Sequence, residues 1–363
     1  MIALSLSGGG SRAIAFHLGC LRALNDRGVL KKISVISAVS GGSVIAGLYA
    51  YWNDDFEDFH ERVLVFLRYG LNRAIARHLF SRKILPRVVA TNLISRPLNT
   101  IAKCIGYKTP FRRWGSRTDA LQDALHDLFG SLNLSEIRRS GLDIVFNACE
   151  LRTGTAFRFG NHCSGGWRLG EIVNEEILVA HAVACSAAYP LFLPAFDQEY
   201  TFKKKGTTKR KRVIITDGGV YDNLGLGCLE PDKDPRYSLH AYHPDYILCC
   251  SAGHGQFTGE KIPYGFLSRT QATFESIFRK AQDASLNRLH LHKKIGNIKG
   301  FILPYLGQQD QNLPFQPTNL VRQQDVMNYP TNFAPMNLEN IERLSNRGEQ
   351  LTNILLSHYC PNL

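Results

Sequence analysis

The chain has 363 residues, of which 44% are hydrophobic, and its formal net charge at pH 7 is +12. This composition is typical of a globular protein with a sizeable core and excludes a chain that is disordered throughout. The excess of Lys and Arg predicts attraction to a polyanion, either nucleic acid or an anionic bilayer surface, because charge alone does not distinguish these partners.

Strands and helices alternate through two glycine turns in the first fifty residues. Ile2–Ser7 and Ile33–Val39 are apolar runs typical of buried strands, and the helix Ala13–Asn25 between them carries apolar side chains at spacings of three and four. A second helix, Ser43–Tyr51, follows the second strand. Because strands connected in this way lie side by side, we expect both glycine turns at the same edge of the sheet.

The segment from Arg62 to Thr118 is rich in Lys and Arg and contains no Asp or Glu. This pattern predicts a basic amphipathic helical insertion over residues 62–118, which suits the boundary of an anionic bilayer. A solvated basic face that covers the core is the ordinary alternative. The apolar residues at helical spacing are Ile75, Leu79, Phe80, Ile84, Leu85 and Val88.

The rest of the chain returns to mixed helices and strands. Further helices are predicted at Ala120–Phe129, Glu175–Ala188, Thr270–Leu291 and 337–357. Further strands are predicted at Asp143–Ala148, Glu199–Phe202, Arg212–Thr216 and Tyr246–Cys250, with the basic run Lys203–Lys211 as a hairpin connection. No repeat or linker divides the chain. We therefore predict one α/β domain over residues 1–363, with three α/β/α layers and a mainly parallel central sheet.

Neither a secretory leader nor a membrane-spanning helix is predicted. The chain starts with a strand, and its longest apolar stretch, Val44–Trp52, is about half the roughly 18 residues that a spanning helix needs. The nine cysteines form no C-x-x-C pair, which favours reduced thiols over a disulfide framework. We expect a cytoplasmic protein with peripheral membrane contact.

Ser40 follows an apolar strand and precedes a helix. This is the context of a nucleophile elbow, in which a strained serine projects from the turn and its neighbours two residues away are small. Ala38 and Gly42 meet that requirement. An ordinary glycine turn with a solvated serine is the alternative for this motif alone.

The loop Gly8-Gly9-Gly10 precedes the first helix. A glycine run at a helix N-terminus exposes N–H groups that bind a phosphate or a developing oxyanion. The spacing Gly8-x-Gly10-x-x-Ala13 also fits a dinucleotide-binding fingerprint, which requires an acidic residue at the end of the second strand. That strand ends without an acid nearby, so the dinucleotide alternative is the weaker one.

Asp217 is the candidate base. It closes the apolar strand Val213–Thr216, and Gly218 and Gly219 then let the backbone turn and leave the carboxylate uncrowded. None of the 12 histidines stands in an obvious catalytic context. A poorly solvated carboxylate hydrogen-bonded to a serine can deprotonate it, although Asp-Gly-Gly alone is equally an ordinary turn.

In combination, these motifs resemble those of the patatin-like phospholipase family, and the similarity covers the core up to about residue 230. Ala38 stands where the family motif usually has glycine. The matching motifs are Gly8-Gly9-Gly10-x-Arg12, Ser40-x-Gly42, Cys185–Pro190 and Asp217–Asn223.

The resemblance implies a role for each matching residue and requires neither a metal nor a cofactor. Ser40 and Asp217 form a catalytic dyad without histidine. The N–H groups of Gly8–Gly10 and Gly41 form an oxyanion hole, and Arg12 supports the loop or adds positive charge near a lipid headgroup. The remaining supporting positions are Gly42, Gly218, Gly219 and, near the Asp217 turn, Asn223.

The implied activity is that of a phospholipase A-type lipid acyl hydrolase, which cleaves ester-linked fatty acyl chains through an acyl-enzyme. The expected partners are a phospholipid or another lipid ester and an anionic membrane surface. The sequence does not indicate an activating protein. Two other classes stay open: a membrane-associated scaffold with this fold and little activity, and a nucleic-acid-binding protein, for which we find no motif.

Overall fold

The computed structural model describes residues 1–52, 55–106, 111–253, 259 and 262–363. Its strands are β1 (Ile2–Leu6), β2 (Ile33–Val39), β3 (Asp143–Glu150), β4 (Thr155–Gly160), β5 (Ser164–Gly166), β6 (Gly170–Ile172), β7 (Phe196–Lys204), β8 (Thr207–Asp217), β9 (Tyr246–Cys250) and β10 (Gly300–Ile302). Its helices are α1 (Gly10–Asp26), α2 (Gly41–Ala50), α3 (Phe56–Tyr69), α4 (Asn72–Leu79), α5 (Leu85–Ala90), α6 (Arg96–Cys104), α7 (Arg117–Phe129), α8 (Val179–Ser186), α9 (Gly219–Asp222), α10 (Phe266–Lys294), α11 (Gln323–Val326) and α12 (Leu338–Tyr359).

Five parallel strands in the order β10-β9-β1-β2-β3 form one half of the sheet. β1 lies between β2 and β9, so the glycine loop after β1 and the turn after β2 meet at the carboxyl edge, as the sequence predicted. Helices cover both faces of this mixed sheet. The predicted three-layer α/β/α fold is confirmed, but the sheet is mixed rather than mainly parallel, because β4 to β8 pair antiparallel.

Both faces of the central strands are apolar because both are covered. Leu4 joins the large hydrophobic cluster that includes α1, α2 and α12. Ala3 and its ladder partner Ile247 point to the other face, where Ala3 clusters with Leu229 and Ile247 with Leu289 of α10. This two-sided burial explains why the strands are continuous apolar runs in the sequence.

The second half of the sheet is antiparallel and closes on itself. Strands β3 to β8 pair in chain order, and β8 pairs with β3 as well as with β7. In this closing ladder Asp217 lies opposite Ala148 and Ile215 lies opposite Glu150. The closure brings the end of β8 to the carboxyl edge of the parallel strands.

The hairpin β7–β8 is longer than the sequence predicted. The basic run predicted as a connection, Lys203–Lys211, is almost entirely strand, and only Lys205 and Gly206 turn. Both have positive φ angles, 48° and 77°, as two-residue hairpin turns require. The predicted helix Glu175–Ala188 is shorter in the structure, where it becomes α8, and the short strands β5, β6 and β10 were not predicted.

The basic segment divides into several short helices. α3 buries Phe59 and Val63 in the core, so its residues within 62–69 belong to a core helix, while Arg117 and Thr118 begin α7. The exposed part comprises α4, α5, a π-helical turn at Thr91–Ser95 and α6, and residues 107–110 of the predicted insertion lie outside the described residues. Its exposed apolar side chains are Phe80, Leu85, Val89, Leu93, Ile94, Leu98, Ile101 and Ile105.

All nine cysteines are free thiols, and seven of them are buried. Within the described ranges, no helix combines the length and the hydrophobicity needed to cross a bilayer.

The crossing of α1 and α12 gives a stability prediction. A Cβ on Gly19 would overlap the carbonyl oxygen of Ser345, and a Cβ on Gly348 would overlap the carbonyl oxygen of Phe16. Alanine normally stabilises a helix interior by up to about 1 kcal/mol relative to glycine. Here the overlap forces the helices apart, so we expect Gly19→Ala to destabilise the protein by about 2 kcal/mol.

Thermal and urea unfolding measure this effect. Glu342→Ala, on the exposed side of α12, is the control and should change stability only slightly. A Gly19→Ala protein as stable as the wild type would contradict this account of the helix contact.

Candidate active site

Ser40 occupies a strained backbone position between β2 and α2. Its φ angle is 52°, in the positive region that residues other than glycine rarely adopt. A Cβ on Gly42 would overlap the carbonyl oxygen of Leu6 and lie 2.7 Å from that of Ser7. The turn is therefore as tight as a nucleophile elbow requires, and only glycine fits at position 42.

The hydroxyl of Ser186, at the end of α8, holds the Ser40 turn in place. Its Oγ accepts a hydrogen bond from the Ser40 N–H at 3.0 Å, contacts the Ser43 hydroxyl at 2.8 Å and donates to the Asn147 carbonyl at 2.6 Å. A positive φ persists only when the surroundings fix it. Ser186 provides this constraint from a separate helix.

Asp217 is the last residue of β8 and is 3% exposed. Its N–H donates to the Ala188 carbonyl at 3.1 Å, and its Oδ1 accepts from the Gly219 N–H at 2.6 Å. The Ser40 side chain lies close enough to the carboxylate to favour its ionised form. Gly218 has no room for a Cβ, which would overlap the carbonyl oxygen of Asn147.

Burial raises the pKa of Asp217 to about 7, whereas its hydrogen bond from Gly219 and the nearby Ser40 side chain lower it. Desolvation dominates because a carboxylate loses much of its hydration free energy in a buried site. A carboxylate with this pKa exists in both protonation states near neutral pH. The pair of Ser40 and Asp217 therefore has the properties of a nucleophile and its general base.

The loop Gly8-Gly9-Gly10 lies against Ser40. A Cβ on Gly8 would be 3.3 Å from the Cβ of Ser40, and a Cβ on Gly41 would be 2.9 Å from the backbone nitrogen of Gly10. Gly9 and Gly10 have φ angles of 150° and 59°, so side chains would strain the loop. The N-termini of α1 and α2 thus converge beside Ser40, where their dipoles favour negative charge.

Asn223 connects the glycine loop to the Asp217 turn. Its carbonyl accepts a hydrogen bond from the Gly8 N–H at 3.3 Å, and its Oδ1 is 2.9 Å from where a Cβ of Gly219 would be. The Gly8 N–H is therefore engaged in holding the loop rather than directed to a ligand.

Arg12 lies inside the protein, where it is 3% exposed. Its Nη1 donates to the Tyr329 carbonyl at 2.9 Å, and burial lowers its pKa to about 10, so the guanidinium stays charged. The side chain therefore supports the loop from within the protein.

Aromatic side chains border the site. Tyr189, three residues after Ser186, contacts the ring of Phe274 in α10 with ring centroids 6.3 Å apart and also contacts Phe192. Phe192 is 65% exposed. Tyr189 directly follows Ala188, whose carbonyl accepts the Asp217 N–H, so this aromatic cluster begins next to Asp217.

The structure brings Ser40, Asp217 and the glycine turns together at the carboxyl edge, whereas Arg12 lies behind the loop and the Gly8 N–H is bonded to Asn223. Sequence reasoning assigned no role to Ser186 or Asn147, although Ser186 belongs to a recognised motif. It also missed Tyr329 and Asn332, whose carbonyls contact the start of α1 from more than 300 residues away. No local pattern could have identified these last two, because they act through the main chain.

A family model described as patatin-like phospholipase matches residues 4–227. The human GIVD cytosolic phospholipase A2 superposes with a TM-score of 0.55 at 13% identity, over 98% of this chain and 58% of the human chain. VipD from Legionella pneumophila gives a TM-score of 0.42 at 16% identity, over 99% of this chain and 67% of VipD. The chain thus spans little more than half of the human protein, and no curated protein matches it.

Burial of Asp217 predicts a pH-dependent effect of Asp217→Asn on stability. The folded state favours the protonated carboxyl, so this stabilisation is complete below the unfolded pKa of 3.8 and is lost as pH rises through about 7. The ionised side chain then costs on the order of 4 kcal/mol as an upper bound. Asparagine does not ionise, so the variant should unfold at a higher temperature than the wild type at pH 8.

This advantage should shrink at pH 5, and calorimetry at both pH values measures it. Asp245→Asn is the control of opposite sign, because hydrogen bonds from Lys299 and the N-terminal amine lower the pKa of Asp245. That variant should be less stable than the wild type at pH 8. A pH-independent difference for Asp217→Asn would contradict the raised pKa.

Proposed function

This chain belongs to the patatin-like phospholipase family, and from that premise we propose that it is a phospholipase A-type lipid acyl hydrolase. Its substrates are phospholipids or other lipid esters with ester-linked fatty acyl chains. One observation carries the proposal: the strained Ser40 turn lies at the same edge of the sheet as the buried carboxylate of Asp217, and burial raises the pKa of that carboxyl to about 7.

Acyl transfer begins when Asp217 takes the proton of the Ser40 hydroxyl. Ser40 Oγ attacks the ester carbonyl carbon, and the N–H groups of Gly9, Gly10 and Gly41 stabilise the negative oxygen of the tetrahedral intermediate. Collapse of this intermediate breaks the ester bond, and Asp217 returns the proton to the leaving alcohol. Water then attacks the acyl-enzyme by the same route and releases the fatty acid.

A carboxylate can replace histidine here because its pKa is near the working pH. A general base is most effective when its pKa matches the surrounding pH, since it must be ionised and still accept a proton. An exposed Asp, with its pKa of about 4, is too weak a base for this task. Burial of Asp217 supplies the necessary shift.

The aromatic cluster supports a lipid substrate rather than a polar ester. Tyr189 packs against Phe192 and Phe274, and this cluster adjoins Asp217 through Ala188, so it is a candidate surface for an acyl chain. We expect long acyl esters to be preferred over short ones, since each buried methylene contributes about 0.8 kcal/mol.

The alternative is a membrane-associated scaffold with the same fold and little activity. It is favoured by Ala38, which stands where the family motif usually has glycine. Ala38 is fully buried in β2, and its carbonyl accepts a hydrogen bond from the Asn147 side chain at 3.0 Å. Because β2 accommodates the methyl group without losing its ladder, we favour an active site.

Peripheral membrane contact through α4 to α6 is part of the proposal. Leu93 is 71% exposed and Ile105 is 78% exposed, and the same surface segment contributes the exposed cations Arg73, Arg82 and Arg87. Arg77 and Lys83 form ion pairs with Asp127 and Asp123 of α7, but both cations remain largely exposed. Exposed apolar and basic groups together are typical of surfaces that enter the headgroup region of anionic bilayers.

The dyad gives the central prediction. Ser40→Ala and Asp217→Asn should each reduce hydrolysis of a lipid ester by at least about a thousandfold, and the double variant should be no worse than either single one. Nucleophile and base act as one unit, so their losses are not additive. Liposome-based release of fatty acid, followed by mass spectrometry, measures the activity.

A fluorophosphonate should label Ser40, and peptide mass spectrometry maps the site. Asp222→Asn is a matched control, since Asp222 accepts from backbone N–H groups nearby without contacting Ser40. Normal turnover in Asp217→Asn, or labelling at another serine, would rule out the dyad. A folded wild type without activity or labelling would support the scaffold.

The basic surface gives a second prediction. The protein should sediment with vesicles containing phosphatidylserine and hardly at all with vesicles of pure phosphatidylcholine. Added salt should weaken binding, because at about 0.1 M it screens exposed charges over a distance of about 10 Å. Binding should fall when the insertion loses five cations by substitution with Gln. These are Arg73, Arg77, Arg82, Lys83 and Arg87.

The control removes five cations from the β7–β8 hairpin instead, so both variants have the same net charge. These are Lys203, Lys205, Lys209, Arg210 and Lys211. Equal weakening by both variants would mean that net charge alone drives binding. Equal binding to both vesicle types would contradict an anionic membrane surface as partner.

A further inference from the structure

A segment beyond the residues that match the family model crosses the glycine loop. We name residues 327–336 the C-terminal strap. The Asn332 carbonyl accepts a hydrogen bond from the Ser11 N–H at 2.7 Å, and the Tyr329 carbonyl accepts from Arg12 Nη1 at 2.9 Å. Two carbonyls of the strap therefore hold the two residues that directly follow the loop.

Gly10 is enclosed by backbone from two sources. A Cβ on Gly10 would lie 2.5 Å from the Asn332 carbonyl oxygen and 3.0 Å from its nitrogen. A Cβ on Gly41 would lie 2.9 Å from the Gly10 nitrogen and 3.0 Å from its carbonyl carbon. The strap and the first residue of α2 thus confine the glycine whose N–H we assign to the oxyanion hole.

The strap is anchored at its far side to the end of α3. The Phe333 carbonyl accepts from the Leu71 N–H at 2.9 Å, and the Met336 N–H donates to the Leu67 carbonyl at 2.9 Å. Gly70 caps α3 with a φ angle of 62°, and a Cβ there would lie 2.6 Å from the nitrogen of Pro335. The strap is therefore fixed between α3 and the glycine loop.

We propose that the C-terminal strap is a positioning element of the oxyanion hole. A loop of three glycines has large conformational freedom, whereas an oxyanion hole stabilises the transition state only if its donors are fixed in advance. Main-chain hydrogen bonds from the strap restrict this freedom on the side away from the substrate. The inference rests on the proposed hydrolase function, but it concerns residues that do not contact the substrate.

Gly70→Ala displaces the strap without altering any residue of the glycine loop or the dyad. Gly130→Ala is the matched control, because Gly130 caps α7 with a φ angle of 61° and a Cβ there meets nothing within 4 Å. Both variants carry the same positive-φ strain, but Gly70→Ala should lose more thermal stability because its Cβ also overlaps the strap. Only Gly70→Ala also forces the strap to move.

We expect Gly70→Ala to lower kcat on a lipid ester by about tenfold or more, with KM almost unchanged, since oxyanion donors act mainly in the transition state. Fluorophosphonate labelling of Ser40 should slow in parallel. Hydrogen exchange of the peptide covering residues 8–14 should be faster than in the wild type. Gly130→Ala should match the wild type in all three.

The outcomes separate this inference from the function on which it rests. An inactive, unlabelled wild type contradicts the hydrolase, and the exchange data then still decide whether the strap fixes the loop. Equal kcat, labelling and exchange in the two glycine variants would overturn the strap proposal. So would a rise in KM with kcat unchanged, which would make the strap a wall of the substrate pocket.

A second pair of variants serves if Gly70→Ala does not fold. Asn332 Oδ1 accepts from the Ala334 N–H at 3.0 Å and shapes the strap, whereas Asn337 Oδ1 accepts from the Asn340 N–H at 2.9 Å and caps α12. Asn332→Ala should slow kcat and labelling by a few-fold, and Asn337→Ala should leave both unchanged. Identical behaviour of these two variants would also overturn the proposal.

Discussion

Direct contact between main-chain segments at the carboxyl edge of the sheet is the constraint on which the site depends. Gly42 packs against the carbonyl oxygen of Leu6, and Gly218 packs against the carbonyl oxygen of Asn147. Gly41 packs against the backbone of Gly10. Each contact excludes a Cβ, so the strand ends, the glycine loop and the two helix N-termini approach more closely than side chains would allow. Ser40 takes its positive φ angle because this frame leaves its backbone no alternative.

The same frame determines the chemistry of Asp217. Closure of β8 onto β3 carries the carboxylate under the Ser40 turn and away from water, and this burial raises its pKa. An ionised carboxylate in that position destabilises the folded state, so the large core beneath the sheet has to compensate for it. Stability given up at a functional site is a common feature of enzymes. The burial of Asp217 and the raised pKa that the proposed activity needs therefore have one structural origin.

Local patterns in the sequence were sufficient to predict the parallel strands and the principal site residues. They were insufficient to predict contacts made by residues that are distant in the chain. β2 and β9 have the predicted bounds because their apolar runs end sharply at polar or glycine residues. The parts of β7 and β8 nearest their turn, Lys203–Lys204 and Thr207–Lys211, lack an apolar pattern and are held by ladder hydrogen bonds. Ser186 and the C-terminal strap act on Ser40 and the glycine loop through contacts that only the tertiary fold creates.

The closed pairing of β3 to β8 also bears on self-association. An open sheet presents two edges whose unpaired N–H and C=O groups can recruit a strand from another molecule. Here β3 covers only Ile215–Asp217 of β8, so among the described strands the stretch Thr207–Val213 pairs with β7 alone and leaves an open edge. This stretch carries the cations Lys209, Arg210, Lys211 and Arg212. Because like charges repel, a basic edge strand offers little template for pairing with a second copy of the chain. Such protection would matter at a membrane surface of the kind proposed above, where the local concentration is high.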